Sequence, residues 1–279
     1  AAIAGCERVL ALSRHQQYWQ IAFLTTGSVF SEATIVISLE NAKLLGLLQS
    51  QIHEEWLRFL GSSLEERLRY TPSDCFETFT FPTYLLDSAA NDPANEAIFQ
   101  SLDAVSESYH QFRAELMVSN NEGLTSTYNR LHNPAETSSD LMELRRLHGE
   151  MDQAVLAAYE WSDVPTACGF GLDYIDIEED AQLPDPLQEQ IDSGELFFCD
   201  ADQAINFESQ LRSYGAVKGK KKLPWRYRWP DEVRDDVLAR LLALNAERYA
   251  EEVALGLHSK TGKKAAASGS GNKRGRSSK

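Results

Sequence analysis

The chain has 279 residues, 43% of them hydrophobic and 10% aromatic, enough to bury a substantial core and incompatible with a disordered polymer. Its 27 Lys and Arg against 42 Asp and Glu give a formal net charge of -15, which argues against a protein that binds polyanions over its whole surface. The charge is uneven: from Gly256 onward seven residues are basic (Lys260, Lys263, Lys264, Lys273, Arg274, Arg276, Lys279) and none acidic, so residues 1–255 carry 20 basic and 42 acidic side chains, a balance of -22.

Cysteines at 6, 75, 168 and 199 are too far apart for a Cys-x-x-Cys pair or a zinc-ribbon spacing, so reduced thiols are expected. No uncharged apolar stretch approaches the roughly eighteen residues of a spanning helix, and the first residues lack a basic region leading into an apolar one. A soluble, cytoplasmic protein without a membrane partner is expected. A strand-like run begins within a few residues of Ala1, which reads as a piece of something longer.

Three β-branched or aromatic runs come first, Glu7 to Ser13, Tyr18 to Thr25 and Thr34 to Leu39, and predict a small antiparallel sheet. Asn41 then caps a helix in which Leu45, Leu48, Ile52, Trp56 and Phe59 form one apolar stripe, closed by Gly61. Sheet plus packed helix is an α+β arrangement. After an irregular segment from Tyr70 to Pro82, Asp92 and Pro93 open a helix with a seam at Ile98, Leu102, Val105, Tyr109, Phe112 and Leu116. Its partner is Leu141, Leu144, Leu147, Met151 and Val155, introduced by Thr137 and Asp140 in a capping-box pattern. Together they predict a long helical hairpin, with Val118 to Glu136 crossing between its arms.

From Cys168 to Asn206 eleven acids occur with no Lys or Arg, which predicts an exposed acidic insert. Lys218, Lys220, Lys221, Lys222, Arg226 and Arg228 reverse the sign, and Trp229-Pro230-Asp231 opens a final helix lined by Val233, Val237, Leu241 and Leu244. The Gly, Ser, Ala, Lys and Arg beyond Gly256 cannot form a core and are expected to be disordered.

Most catalytic constellations are missing. Gly215-Ala216-Val217-Lys218-Gly219-Lys220-Lys221 is one residue short of a phosphate loop and has no Ser or Thr after the lysine. His53-Glu54-Glu55 lacks the second histidine of a zincin, there is no nucleophile elbow, and no Asp-x-Lys or Glu-x-Lys triplet completes a nuclease site. The acids from Asp173 to Asp180 leave a metal-dependent nuclease as a third, weakest reading.

The segment Ser62 to Pro82 (SSLEERLRYTPSDCFETFTFP) resembles one near the C-terminus of type IIG-like restriction-modification methylases. Leu124 to Arg130, Leu144 to His148, Asp152 to Trp161 and Trp225 to Pro230 continue the resemblance in the same order, over roughly residues 6–165 and 222–255. Such enzymes transfer a methyl group from S-adenosylmethionine to adenine N6 in DNA. Their methyl-transfer core lies N-terminal to this region, with a Gly-rich cofactor loop and an Asn-Pro-Pro-Tyr/Phe loop. This sequence has no Pro-Pro dipeptide, and its Gly169-Phe170-Gly171 precedes the acidic insert. Thr80 stands where the family tends to have proline, and residues 170–215 lie outside the resemblance.

The resemblance therefore implies a non-catalytic DNA target-recognition part without bound cofactor, working with double-stranded DNA and with a methyltransferase core in cis or in trans. Composition and periodicity divide the chain into a target-recognition-like domain over 1–90, a helical hairpin over 91–165, the acidic insert over 166–215, a basic, aromatic segment with the last helix over 216–255, and a tail over 256–279. Arg67, Arg69, Tyr70, Thr71, Ser73 and Asp74 offer cations and base-reading groups on a loop after a helix. Lys220, Lys221, Lys222, Arg226 and Arg228, interleaved with aromatics, suit backbone contact. Two alternatives stand beside these: Arg67 and Arg69 can pair with Glu65 or Glu66, and Tyr70 and the Trp225–Trp229 aromatics can be core. A different class of function, an acidic module presenting a DNA-like field to a basic partner, also fits the net charge.

Overall fold

The computed structural model describes residues 3, 5–64, 67–83, 85, 93–178 and 180–258, without the side chains of 62–67. The expected cap Asp92 and the tail beyond His258 lie outside them. The chain divides into two compact units, Ala1–Leu238 and Ala239–Lys279, a boundary that falls inside the last helix.

The first sheet has the order β3-β1-β4, from β1 (Arg8–Ser13), β3 (Ala22–Thr25) and β4 (Thr34–Ile37), all antiparallel. Val9, Leu10, Ala11 and Leu12 are all buried, as expected for a central strand covered on both faces. The single helix read from the sequence is two, α1 (Ala42–Gln49) and α2 (Gln51–Leu60), broken at an extended Ser50. Ser50 Oγ donates to the Leu47 carbonyl at 2.7 Å and accepts from the His53 N–H, while the Gln51 N–H donates to Asp152 Oδ1 at 2.9 Å. A buried carboxylate at the positive end of a helix favours a fresh start there. Gly61 ends α2 as expected.

A second antiparallel sheet has the order β2-β6-β5, from β2 (His15–Gln16), β5 (Ser62–Leu64) and β6 (Arg67–Arg69). It is followed by the short α3 (Pro72–Cys75). Of the segment expected as a loop after a helix, Arg67–Arg69 is strand and Pro72–Cys75 is helix, with Tyr70 and Thr71 between them.

The hairpin arms are α4 (Pro93–Ser119) and α6 (Ser139–Ala158), with α5 (Leu124–Leu131) between them. Leu102, Tyr109 and Leu116 are buried, as are Leu141, Leu144, Leu147, Met151 and Val155. The expected capping box does not form. Ser138 caps α6 without a side-chain bond, because Arg130 donates to its Oγ at 3.2 Å. Gly46 is required where α1 crosses α4: a Cβ there would collide with the Ser106 side chain.

The acidic segment departs most from expectation, because it folds around a core of its own. β7 (Gly169–Leu172), β8 (Phe197–Phe198) and β9 (Trp225–Arg228) form an antiparallel sheet of order β8-β7-β9, with α7 (Asp185–Ser193) and α8 (Ala201–Ser213). Phe170, Leu172, Leu187, Phe198, Phe207, Leu211 and Trp225 fill it, while Asp185, Glu189, Asp192, Glu195, Asp200 and Asp202 remain exposed. Asp200 caps α8 by accepting from the Gln203 N–H at 2.8 Å, and Gly194 ends α7 at φ 75°.

The last helix is α9 (Asp231–Ala254). Within the second unit Tyr249 packs on His258, with ring centroids 4.7 Å apart, and His258 Nε2 lies 2.8 Å from Glu252 Oε2.

Candidate nucleic-acid interface

Two groups of basic residues lie in opposite environments. Arg226 and Arg228, expected on a DNA-facing surface, lie in the interior, 5% and 2% exposed. Arg226 reaches Glu54 at 3.0 Å, Glu55 at 3.6 Å and Asp173 at 2.5 Å. Arg228 reaches Asp173 at 3.4 Å and Asp231 at 3.0 Å, while Arg58 pairs with Glu54 at 2.7 Å and Arg234 with Glu55 at 2.9 Å. Burial alone would raise the Glu54 carboxyl, but Arg58 and Arg226 outweigh it and hold it at about 2. Asp173 behaves likewise: burial opposes, Arg226 and Arg58 prevail, and its pKa falls well below the ordinary carboxylate value.

This network joins α2 to β7, β9 and the start of α9. It also accounts for Gly169-Phe170-Gly171. A Cβ on Gly171 would meet the Arg228 guanidinium, and one on Gly169 the Phe198 carbonyl, so these glycines admit a packed strand and do not fit a cofactor loop between strand and helix.

Tyr70 is interior too. It is 2% exposed, 3.2 Å from His53 Nε2 through its hydroxyl and stacked on Trp19 at 5.1 Å. Burial, only partly opposed by Glu54, lowers the His53 pKa to about 3. His132 is lowered to about 3 by burial as well, and its Nδ1 accepts the Tyr227 N–H at 2.9 Å, which fixes it as neutral.

The second group is exposed. Among the described residues, the exposed Lys and Arg without a carboxylate partner are Arg14, Arg69, Lys220 and Lys222. Arg14 is pinned between the first two sheets, its N–H donating to Ala33 O at 2.8 Å and its carbonyl accepting from the Tyr70 N–H at 3.0 Å. His15, also exposed, is the register partner of Arg69 across β2 and β6. Arg67 pairs with Leu64 through its backbone, and its side chain lies outside the description, as do the candidate partners Glu65 and Glu66. Ser73 and Asp74 are exposed at the start of α3, with Ser73 Oγ donating to Asp74 Oδ1 at 2.9 Å, and Thr71 is half-buried at its N-cap. Lys221 is exposed but engaged, 2.6 Å from Asp176.

A groove of about 630 Å³ is lined by Gln17 and Tyr18 after β2, by Asn129 and Asn133, and by Tyr174, Arg212 and Lys222. Sequence reading missed Arg14 and His15, taking the polar stretch after the first strand as a turn. The available signal was two adjacent basic groups in an acidic body. Among the described residues no group of three or more His, Cys, Asp or Glu could hold a metal ion, no helix is long and apolar enough to cross a membrane, and all four cysteines are free.

Residues 8–83 match the family model of the MmeI target recognition domain, a span that holds both of these sheets, α1–α3, Arg14, His15 and Arg69. The chain is similar to DNA methyltransferase A of Bacillus subtilis (strain 168), 26% identical over 147 residues that cover 53% of this chain and 14% of that protein. It is also similar to the solved type IIL restriction-modification enzyme MmeI in complex with DNA, at 26% identity and a TM-score of 0.44, covering 56% of this chain and 19% of that one. The chain thus spans less than a fifth of either relative. The acidic interaction module read from the net charge finds no support in these relatives. Residues 8–83 are thus a target-recognition region of the MmeI kind.

Proposed function

We propose that this chain contacts double-stranded DNA for a site-specific adenine-N6 methyltransferase, performing no methyl transfer with its own residues and acting in the cytoplasm. One observation carries the reading: in a body of charge -22, Arg14 and Arg69, exposed and without a described carboxylate partner, are held at adjoining backbone positions inside the matched residues, Arg14 bonded to the Tyr70 N–H and His15 in register with Arg69. Phosphate contacts by such cations set register on a duplex, and neighbouring polar groups read base edges. Here Arg14 and Arg69 supply the cations, with Lys222 as a further exposed cation elsewhere in the chain, while His15, Thr71, Ser73 and Asp74 supply donors and acceptors within a few residues of them. S-adenosylmethionine and the catalytic loop belong, in this reading, to a methyltransferase core acting in cis or in trans.

The test is Arg14→Ala with Arg69→Ala. Methylation by the reconstituted enzyme and duplex binding should both fall, with a shallower salt dependence, while thermal unfolding stays unchanged. Unchanged DNA affinity would remove this face from the interface.

A further inference from the structure

The second basic element, Lys218–Lys222, has four lysines in five positions, and the structure sets carboxylates against it. The segment leaving β7 alternates in character. Ile175, Ile177 and Ala181 pack against the core of the C-terminal sheet, whereas Asp176, Glu178 and Asp180 meet the lysines. Lys218 Nζ lies 3.2 Å from Glu178 and 3.1 Å from Asp180, and Lys221 Nζ lies 2.6 Å from Asp176 Oδ2 and 3.3 Å from the Asp176 carbonyl oxygen. The segment is fixed at both ends. Asp173 sits among Arg58, Arg226 and Arg228, and the Glu178 N–H donates to the Ala216 carbonyl at 3.0 Å.

Resting on the DNA-contact reading above, we infer that residues 173–178 together with Asp180 form an acidic strap that takes the place of DNA phosphates on Lys218 and Lys221 and so holds down sequence-independent affinity for the duplex. The charge arithmetic shows the effect: Lys218, Lys220, Lys221 and Lys222 supply +4, and Asp176, Glu178 and Asp180 return -3, leaving +1. The pairs are exchangeable. The side chains of Lys218 and Lys221 are 56% and 41% exposed, and solvent-exposed pairs of flexible side chains are weak and screened by salt. A lysine can swing to a phosphate without unpacking Ile175 or Ile177. Because non-specific binding is almost wholly phosphate contact, a fixed internal competitor lowers it more than binding that also includes base contacts.

The experiment compares the full chain with D176N/E178Q/D180N on a random-sequence duplex of about 20 base pairs across a salt series. Freeing two lysines for phosphates should tighten binding about tenfold at low salt and steepen the log–log salt slope by about 1.8. In that background K218A/K221A should reverse the gain, whereas in the parent chain it should change binding less than twofold. Removing three acids that face no lysine, D185N/E189Q/D192N, controls for net charge and should give a smaller gain. Equal affinity with and without the strap carboxylates, or an equal gain from the control, overturns the strap alone, provided that R14A/R69A still weakens binding. A chain that binds no duplex at low salt overturns the DNA-contact reading and the strap with it.

Discussion

Arg226 and Arg14 are the same residue type in one acidic chain, and their surroundings give them opposite roles. Arg226, with Arg58, Arg228 and Arg234, is enclosed among Glu54, Glu55, Asp173 and Asp231 and ties α2 to the C-terminal sheet. Arg14 and Arg69 stand exposed without a described carboxylate partner. A buried cation without its counter-charges is costly, so the interior set is committed to structure. An exposed cation without an internal partner remains available to an external anion. The number of positive charges in a segment therefore says little about polyanion binding until the carboxylates already holding them are known.

Removing the interior charge should have the largest effect. Arg226→Ala leaves Glu54 and Glu55 buried, and the more exposed Asp173 beside them, without a partner, and urea unfolding should show a loss of about 3–5 kcal/mol. A loss below about 1 kcal/mol would mean that the network is ornamental to stability.

Acid comes next. His53 and His132 are held at about 3 in the folded chain against roughly 6.5 unfolded, so the unfolded state binds protons first. Their contribution is lost as pH falls from about 6.5 toward 3. Glu54, held at about 2, adds a loss that begins below about 4.5. His148 opposes them: burial lowers its pKa, but Asp152 prevails and raises it, so its contribution is present below about 6.5 and lost as pH rises. The urea midpoint should therefore fall between pH 7 and pH 5, and His132→Asn, which keeps an acceptor for the Tyr227 N–H, should flatten that fall.

On the exposed side, Arg14→Ala with Arg69→Ala should weaken duplex binding about tenfold while changing stability by less than about 0.5 kcal/mol. Smallest is Lys220→Ala with Lys222→Ala: about a two- to threefold loss of affinity and no change in the unfolding midpoint, read by the same titration and melt.

Much of the fold was legible because it is local. The short apolar run of β1, the stripe of α1 and α2, and the seams of α4 and α6 are patterns that a chain carries along its own length. The break at Ser50 was not legible, because the carboxylate that caps α2 comes from Asp152, 101 residues away. The acidic segment was misjudged for a similar reason: its apolar residues are diluted among acids and gather only when β7, β8 and β9 pair. At the candidate interface Arg69 was found from its neighbourhood, but Arg226 and Arg228 were assigned to the surface because their partners are up to 172 positions away. Arg14 and His15 were passed over because a polar stretch between strands reads as a turn, and only the pairing of β2 with β6 sets His15 opposite Arg69 and Arg14 against the Tyr70 backbone.

The arginine network also constrains any attempt to exchange recognition modules between related enzymes. A transplant cut at the ends of the matched segment, residues 8–83, would remove Glu54, Glu55 and Arg58 from the arginines and aspartates at 173, 226, 228, 231 and 234. A donor lacking acids at 54 and 55 would strand several guanidinium groups in the recipient's interior. Chimeras should therefore carry residues 173 and 225–234 along with the module, or keep the host's three charged residues on α2 inside the donor sequence.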